Sequence, residues 1–312
     1  MRLKELLSLF FITIFFGAYC QDNVDWWNKK HNWDGTTHWS YYMIISPGYM
    51  GPNALPVPEI HTGLIYPESF IEMGGDAHYS TGDKTVNMYS RLHYVIPSKV
   101  FAFEVYIVPV EYYAMDGAIR DERFARDFNA KGIAGGDFYF SSMLQILKSK
   151  KNWPDILMNI SFKTPSGTNL DNARYTDAMA FYFDFSFGKT FKTKGKLSIR
   201  PYLLAGFYSW QTNRTDNRQD DAILLGGGFD INLGRFTITN SAGGYSGYLN
   251  IKDQPLVYRF KTLYERRDWN FLFQFQQGLH DFDYSSIRLG VQWKFSKVLE
   301  KISNKQAISN KQ

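Results

Sequence analysis

The sequence of 312 residues holds a single cysteine, Cys20, and that one falls in a leader-like stretch. Past Cys20 no disulfide can form, so the chain gains nothing from an oxidising compartment and its stability must come from its secondary structure. Long apolar runs are also missing. Outside the N-terminus no stretch approaches the roughly 20 apolar residues that a bilayer-spanning helix needs, which excludes a helical membrane protein. A strong charge of one sign is missing too. The formal net charge is +5 and dispersed, too mild to argue for a nucleic-acid partner. HExxH, GxSxG and P-loop signatures are absent. The glycine-rich "LLGGGFDI" lies in a strand-like run, where small residues ease curvature or packing against a neighbour.

What is there in quantity is aromatic. Phe, Tyr and Trp make up 18% of the chain, and there are 25 glycines. The N-terminus, "MRLKELLSLFFITIFFGAYCQDN", has a basic start (Arg2, Lys4), an apolar core from Leu6 to Phe16, and small residues at Ala18 and Cys20. This is a secretory signal peptide over 1–20, removed after Sec-type export. Lipidation of Cys20 is the rival reading, and the bulky Tyr19 argues against it.

Residues 21–67 are aromatic and polar, then proline-rich. From there the texture becomes strand-like, in runs at 69–80, 85–96, 101–113, 137–148, 155–164, 178–190, 195–208, 220–232, 235–248, 256–266, 269–277 and 286–296. Several alternate cleanly. Phe181, Phe183, Phe185 and Phe187 oppose Tyr182, Asp184 and Ser186; Ile287, Leu289, Val291, Trp293 and Phe295 oppose Arg288, Gln292 and Lys294. After the first pair of runs, short connections alternate with long ones. Short turns on one side and long polar loops on the other is the pattern of outer-membrane barrels. The expected fold is all-β: a transmembrane antiparallel up-and-down β-barrel of about 12 strands over 68–296. Boundary shifts of two to four residues would leave ten or fourteen. An N-terminal segment (21–67) precedes it, periplasmic or plugging the lumen, and a Lys-rich periplasmic tail (297–312) follows. "WSYYMIIS" and "EIHTGLIY" could instead be two further strands. The setting is the outer membrane of a Gram-negative bacterium.

If the apolar face meets lipid, the other face lines a lumen. The residues projected inward are Glu72, Asp76, His78, Arg91, His93, Glu104, Asp137, Asp184, Arg200, Asp230, Arg259, Lys261, Glu265, Arg288, Gln292 and Lys294. Such charges must pair or stay hydrated, as a structural network or as a polar pathway. The longest loop, 114–136, carries Arg120, Asp121, Glu122, Arg123, Arg126 and Asp127. Glu122 with Arg126, and Arg123 with Asp127, have helical ion-pair spacing, and this loop is a candidate constriction. The short turns are basic (Lys148, Lys150, Lys151, Lys192, Lys194, Lys196, Arg266, Arg267), a solvated rim or a contact with anionic headgroups.

Catalysis would need a serine activated by a histidine. The H-x-S-N-type segment of barrel phospholipases is absent. His280 beside Asp281 and Asp283 is common by chance. No catalytic residue, metal or cofactor is expected, and the protein is not read as an enzyme.

Residues 135–189 carry Gly136-Asp137 opening a strand and the turn Lys163-Thr164-Pro165-Ser166-Gly167. With "MGPNALPVPEI" and "RDERFARDF", they resemble uncharacterised outer-membrane barrels of Bacteroidetes-type bacteria. The middle of the chain also resembles, weakly, the outer-membrane family named for the MetA pathway of phenol degradation. The resemblance implies an outer-membrane protein, a channel for small or apolar solutes. The expected function is passive transport of a small solute through a narrow, charge-lined lumen; a structural or surface-binding barrel with a blocked lumen is the alternative, and a lipid-acting enzyme a third. Expected partners are outer-membrane lipid, the assembly machinery that reads a terminal aromatic such as Phe295, and a small solute.

Overall fold

The computed structural model describes residues 24–149, 152–193 and 195–295. The leader (1–20), Cys20, the tail (297–312) and Lys150, Lys151 and Lys194 lie outside them. The chain divides into two compact units at Thr36/Thr37. In the first, a short helix α1 (Asp25–Lys30) buries Trp27, whose ring lies 5.1 Å from that of His31.

The second unit is a closed barrel. Its strands are β1 (Phe70–Ser80), β2 (Asp83–Val95), β3 (Phe101–Met115), β4 (Lys131–Ala134), β5 (Tyr139–Leu147), β6 (Asp155–Lys163), β7 (Ala180–Gly188), β8 (Phe191–Lys192), β9 (Leu197–Gln211), β10 (Gln219–Leu233), β11 (Phe236–Ser246), β12 (Leu256–Arg266), β13 (Trp269–His280) and β14 (Ser285–Lys294). The short β4 and β8 pair only with β3 and β9. The other twelve form one antiparallel cycle, closed where β1 pairs β14 from Phe70↔Lys294 to Tyr79↔Ser285. Closure satisfies every ladder without leaving an edge.

The period-2 pattern sorts the two faces. Phe181, Phe183, Phe185, Phe187, Phe271, Phe273, Leu289 and Trp293 are exposed on the outer face. An apolar band of this extent has no stable place in water and calls for lipid. The alternate positions are buried and polar: Glu72, Asp76, Asn87, Asn159, Asp184 and Gln292 among them. One irregularity matters. In β3 two residues, Val108 and Pro109, oppose the single Tyr89, a bulge between Met88 and Ser90 of the partner strand. Pro109 has no N–H to lose there. The bulge also flips the strand's parity, so Glu104 and Glu111 both turn inward although they are seven positions apart.

The connections sort by end. Residues 96–100, 148–154, 189–196, 234–235 and 267–268 close the turn end, where β1 also starts. Residues 116–138, 164–179, 212–218, 247–255 and 281–284 close the loop end, together with the tight pair 81–82. Within 116–138 lies a single helical turn, α2 (Gly117–Glu122), capped by Asp116, whose carboxylate accepts from the Ile119 amide at 2.9 Å.

Candidate functional site

The lumen is the site, and the chain itself fills it. Residues 43–66 run through the barrel from the loop end to the turn end without joining any strand. At the loop end the Ser46 hydroxyl donates to the Lys252 carbonyl at 2.6 Å, and Asn213 donates to the carbonyls of Ser40 and Met43. A cavity of about 570 Å³ opens here between Tyr41, Tyr42, Asn213, Arg214 and Asp216. At the turn end the Tyr66 carbonyl lies 3.2 Å from His93 Nε2, and Asn270 donates to the Tyr66 hydroxyl at 3.0 Å. Pro47 and Pro52 sit in turns closed by Tyr49 N–H to Ser46 C=O (3.1 Å) and Ala54 N–H to Gly51 C=O (3.2 Å), Pro56 and Pro58 lie outside any turn, and none of the four has an N–H to offer a ladder. The two further strands considered for "WSYYMIIS" and "EIHTGLIY" do not form: no residue of 37–69 is in a strand.

The segment's two halves are held differently. On the loop side Met43, Ile45, Met50, Ala54, Leu55 and Val57 are buried against Leu204, Tyr208, Trp210, Leu224, Tyr245 and Val257 of the wall. Trp210 Nε1 donates to the Ile45 carbonyl at 3.1 Å and the Tyr245 hydroxyl to that of Leu55 at 2.8 Å. Those bonds satisfy main-chain groups that no ladder reaches. Below Val57 the contacts become ionic and polar. Arg259 donates to the carbonyls of Val57 and Pro58 (2.5 and 2.8 Å), and Arg200 twice to that of Thr62. Glu59 pairs with Arg91 at 2.9 Å and Arg288 at 3.3 Å. His61 Nδ1 lies 3.4 Å from Asp184. Gln145 grips the Gly63 carbonyl and the Ile65 amide. Ile60 enters a recess that Gly226 and Gly243 leave open: a Cβ on Gly226 would stand 2.5 Å from its Cδ1.

A buried network ties the loops to this segment. Asp83 accepts from Arg123 (2.7 Å), Arg174 (2.7 Å) and the Tyr284 hydroxyl (2.6 Å). Glu111 accepts from Arg174, the Tyr175 hydroxyl and Asn53 of the lumen segment, at 2.7–2.8 Å. Burial works against the Arg174 charge, yet Glu111 and Asp83 overcome it and raise its pKa above the ordinary value. Gly51 passes directly over this guanidinium; a Cβ there would meet Arg174 Cζ at 2.7 Å.

The residues expected to line a lumen fall as follows. Glu72 accepts from Gln292 at 2.6 Å, and Asp76 from Arg288 at 2.6 Å. Glu104 stands 3.5 Å from Arg91 and 3.4 Å from His93. Asp184 accepts from Asn159, Arg200 meets Asp155 at 2.9 Å, and Asp230 accepts from Thr239 at 2.7 Å. Arg259 also donates to Gln276. Lys261 contributes its field at Glu59, half-buried Glu265 stands opposite Asn270, and Lys294 pairs with Glu68 at 2.9 Å. Asp137 is apart from these; it pairs with Lys163 at 2.8 Å and accepts from the Ser166 and Gly167 amides, fixing the turn.

The long loop departs from its expected ion pairs. α2 ends at Glu122 and Phe124 takes a left-handed backbone (φ 57°), so no continuous helix brings i and i+4 together. Glu122 instead meets Lys252 at 2.7 Å, and Arg120 meets Asp121. Asp127 caps its own turn through the Asn129 amide, and Arg126 lies over Trp39 at 5.1 Å. Arg123 alone of the six is buried. Residues that the sequence reading does not place at the lumen are Glu59, Asp83, Glu111 and Arg174, and Lys163 enters it only as opening a turn. Glu111 could have been found had Pro109 been taken as a bulge.

His78 deserves a chemical reading. Its Nδ1 lies 2.7 Å from Ser286 Oγ and its Nε2 3.0 Å from Asn87 Oδ1. That is a hydroxyl, an imidazole and an amide in line. All three side chains are buried, and Asn87 is further fixed by donating to Asp76.

No family model matches the chain, and no curated protein matches it. Solved structures do. An outer membrane channel from Pseudomonas putida F1 is 11% identical over 77% of this chain and 100% of its own, with a TM-score of 0.50. LpxR from Salmonella typhimurium is 7% identical over 71% and 99%, TM-score 0.48. The KdgM porin is 10% identical over 71% and 98%, TM-score 0.43. The fold is that of outer-membrane β-barrels. The Bacteroidetes-type group and the MetA-pathway family gain no match.

Proposed function

We propose that this protein is an outer-membrane barrel of channel type, held shut by its own segment 43–66, through which a small solute passes only when that segment moves. The observation that supports this is the filled lumen: an independent stretch of chain, not the wall, closes the path. Its lower half is held by ion pairs and hydrogen bonds, which water can replace as the segment shifts. The outer band meets lipid. The long loops face the exterior and the basic turns face periplasmic headgroups. The Phe295 ring lies 6.0 Å from that of Trp293, tilted by 42°, at the closing strand, where the assembly machinery would read it. Buried His78 and Ser286 serve the network rather than chemistry.

A second reading has its own support. The upper half of the segment is packed as a protein core, and moving it would expose that apolar surface. A barrel permanently filled, presenting loops to an external partner, follows from that. Conductance in planar bilayers separates the two. On the channel reading the whole chain should open briefly and rarely, and a variant lacking 43–60, checked for folding by its heat-modifiable gel shift, should give steady steps. A whole chain that never opens, while the folded variant conducts, favours the permanently filled barrel.

A further inference from the structure

At the loop end two carboxylates meet with nothing between them. Asp220 opens β10, and Asp253 belongs to the loop 247–255; both are 0% exposed. Asp220 Oδ1 accepts from the Tyr248 amide at 3.2 Å. Asp253 Oδ2 accepts from the Leu249 and Asn250 amides at 2.9 and 3.1 Å. The remaining oxygens, Asp220 Oδ2 and Asp253 Oδ1, are buried and have no partner. The two groups are immediate neighbours: a Cβ on Gly247 would lie 2.6 Å from Asp253 Oδ2 and 2.9 Å from Asp220 Oδ2. Among the described residues no Lys, Arg or His forms an ion pair with either.

Two ionised carboxylates cannot share a dry site without a counter-charge. Either they hold one proton between them or they hold a cation. We infer that Asp220 and Asp253 form a calcium site that fastens loop 247–255 to the barrel rim. The donor set is all oxygen, which suits a hard cation. One carboxylate comes from a strand and the other from a loop, with no octahedral cage around them, which suits Ca²⁺ over the stricter Mg²⁺, and water would complete its shell. Three main-chain amides hold Asp220 Oδ1 and Asp253 Oδ2, which leaves one buried oxygen of each carboxylate, Asp220 Oδ2 and Asp253 Oδ1, to take a cation. Loop 247–255 also carries Lys252, whose carbonyl receives Ser46 and Gly48 of the lumen segment. A cation here would therefore steady the upper end of that segment as well.

The test uses the purified full chain in detergent, with CaCl₂ alone as the probe. Calcium at about 1 mM, where weak extracellular sites fill, should raise the unfolding temperature by several degrees over chelated protein. It should also slow proteolysis within 247–255. The variants Asp253→Asn and Asp220→Asn should fold and lose both responses, with MgCl₂ a poor substitute in the wild type. A shared proton gives the opposite pattern: no calcium response, stability that falls as the pH is raised and the proton leaves, and Asp253→Asn removing that pH dependence. That outcome would overturn the site, as would a calcium response unchanged in both variants.

Discussion

Arg91 of the barrel wall grips Glu59 of the lumen segment with two prongs, Nη2 to Oε1 at 2.9 Å and Nη1 to Oε2 at 3.2 Å. Arg288 reaches the same carboxylate from β14. One acidic side chain thus links the two strands that flank β1 to a stretch of chain that belongs to neither.

Removing that carboxylate should loosen the segment. Glu59→Gln loses the ionic part of a paired, charge-assisted contact, worth about 1.5–3 kcal/mol. Arg91 keeps Glu104 at 3.5 Å, so the barrel should still assemble. The expected result in planar bilayers is a raised frequency of opening, with the barrel's gel shift unchanged.

Arg174 should matter for stability rather than opening. Its guanidinium is fully buried, bonded to Asp83, Thr85 and Glu111, and lies 4.8 Å over the Tyr113 ring. Arg174→Met leaves buried Glu111 without its cation and Asp83 with Arg123 alone, and should cost about 3–5 kcal/mol. Urea-dependent loss of the folded gel band would measure it.

The Gly226 recess makes a paired prediction. Gly226→Leu drives a side chain into the space of Ile60 and should destabilise by roughly 1–3 kcal/mol. Ile60→Ala in the same chain should recover much of that, because the two sites share one cavity. At the adjacent Gly227 a Cβ would meet the flexible end of Leu203 at 2.8 Å and, less closely, the Tyr202 carbonyl oxygen at 3.2 Å. Gly227→Leu should be milder. Unfolding midpoints of the four variants test the cycle.

The barrel was readable because lipid and lumen impose the strand period directly, as Phe181 to Phe187 show. The loop sorting was readable because turns and loops differ in length at the two ends. The filling of the lumen was not settled by sequence, since a proline-rich segment has no period and makes its bonds to side chains far away in the chain. Arg174 and Asp83 illustrate this: they meet at 2.7 Å, Arg174 from a loop without a period and Asp83 from the start of β2, in phase with Thr85 and Asn87 but ahead of the run read as 85–96. Glu111 was hidden by the bulge at Val108 and Pro109. The glycines of "LLGGGFDI" read as easing either curvature or packing against a neighbour, and the structure shows Gly226 making room for Ile60.

The central claim is that the chain passes through its own barrel from the loop end to the turn end. Single cysteines, in a chain whose one native cysteine Cys20 is replaced by serine, test it most directly. Tyr41 is exposed at the loop end and Pro67 at the turn end. With a membrane-impermeant thiol reagent, Tyr41→Cys should label on intact cells, and Pro67→Cys only after the outer membrane is permeabilised. Labelling of both positions from the same side would contradict the account.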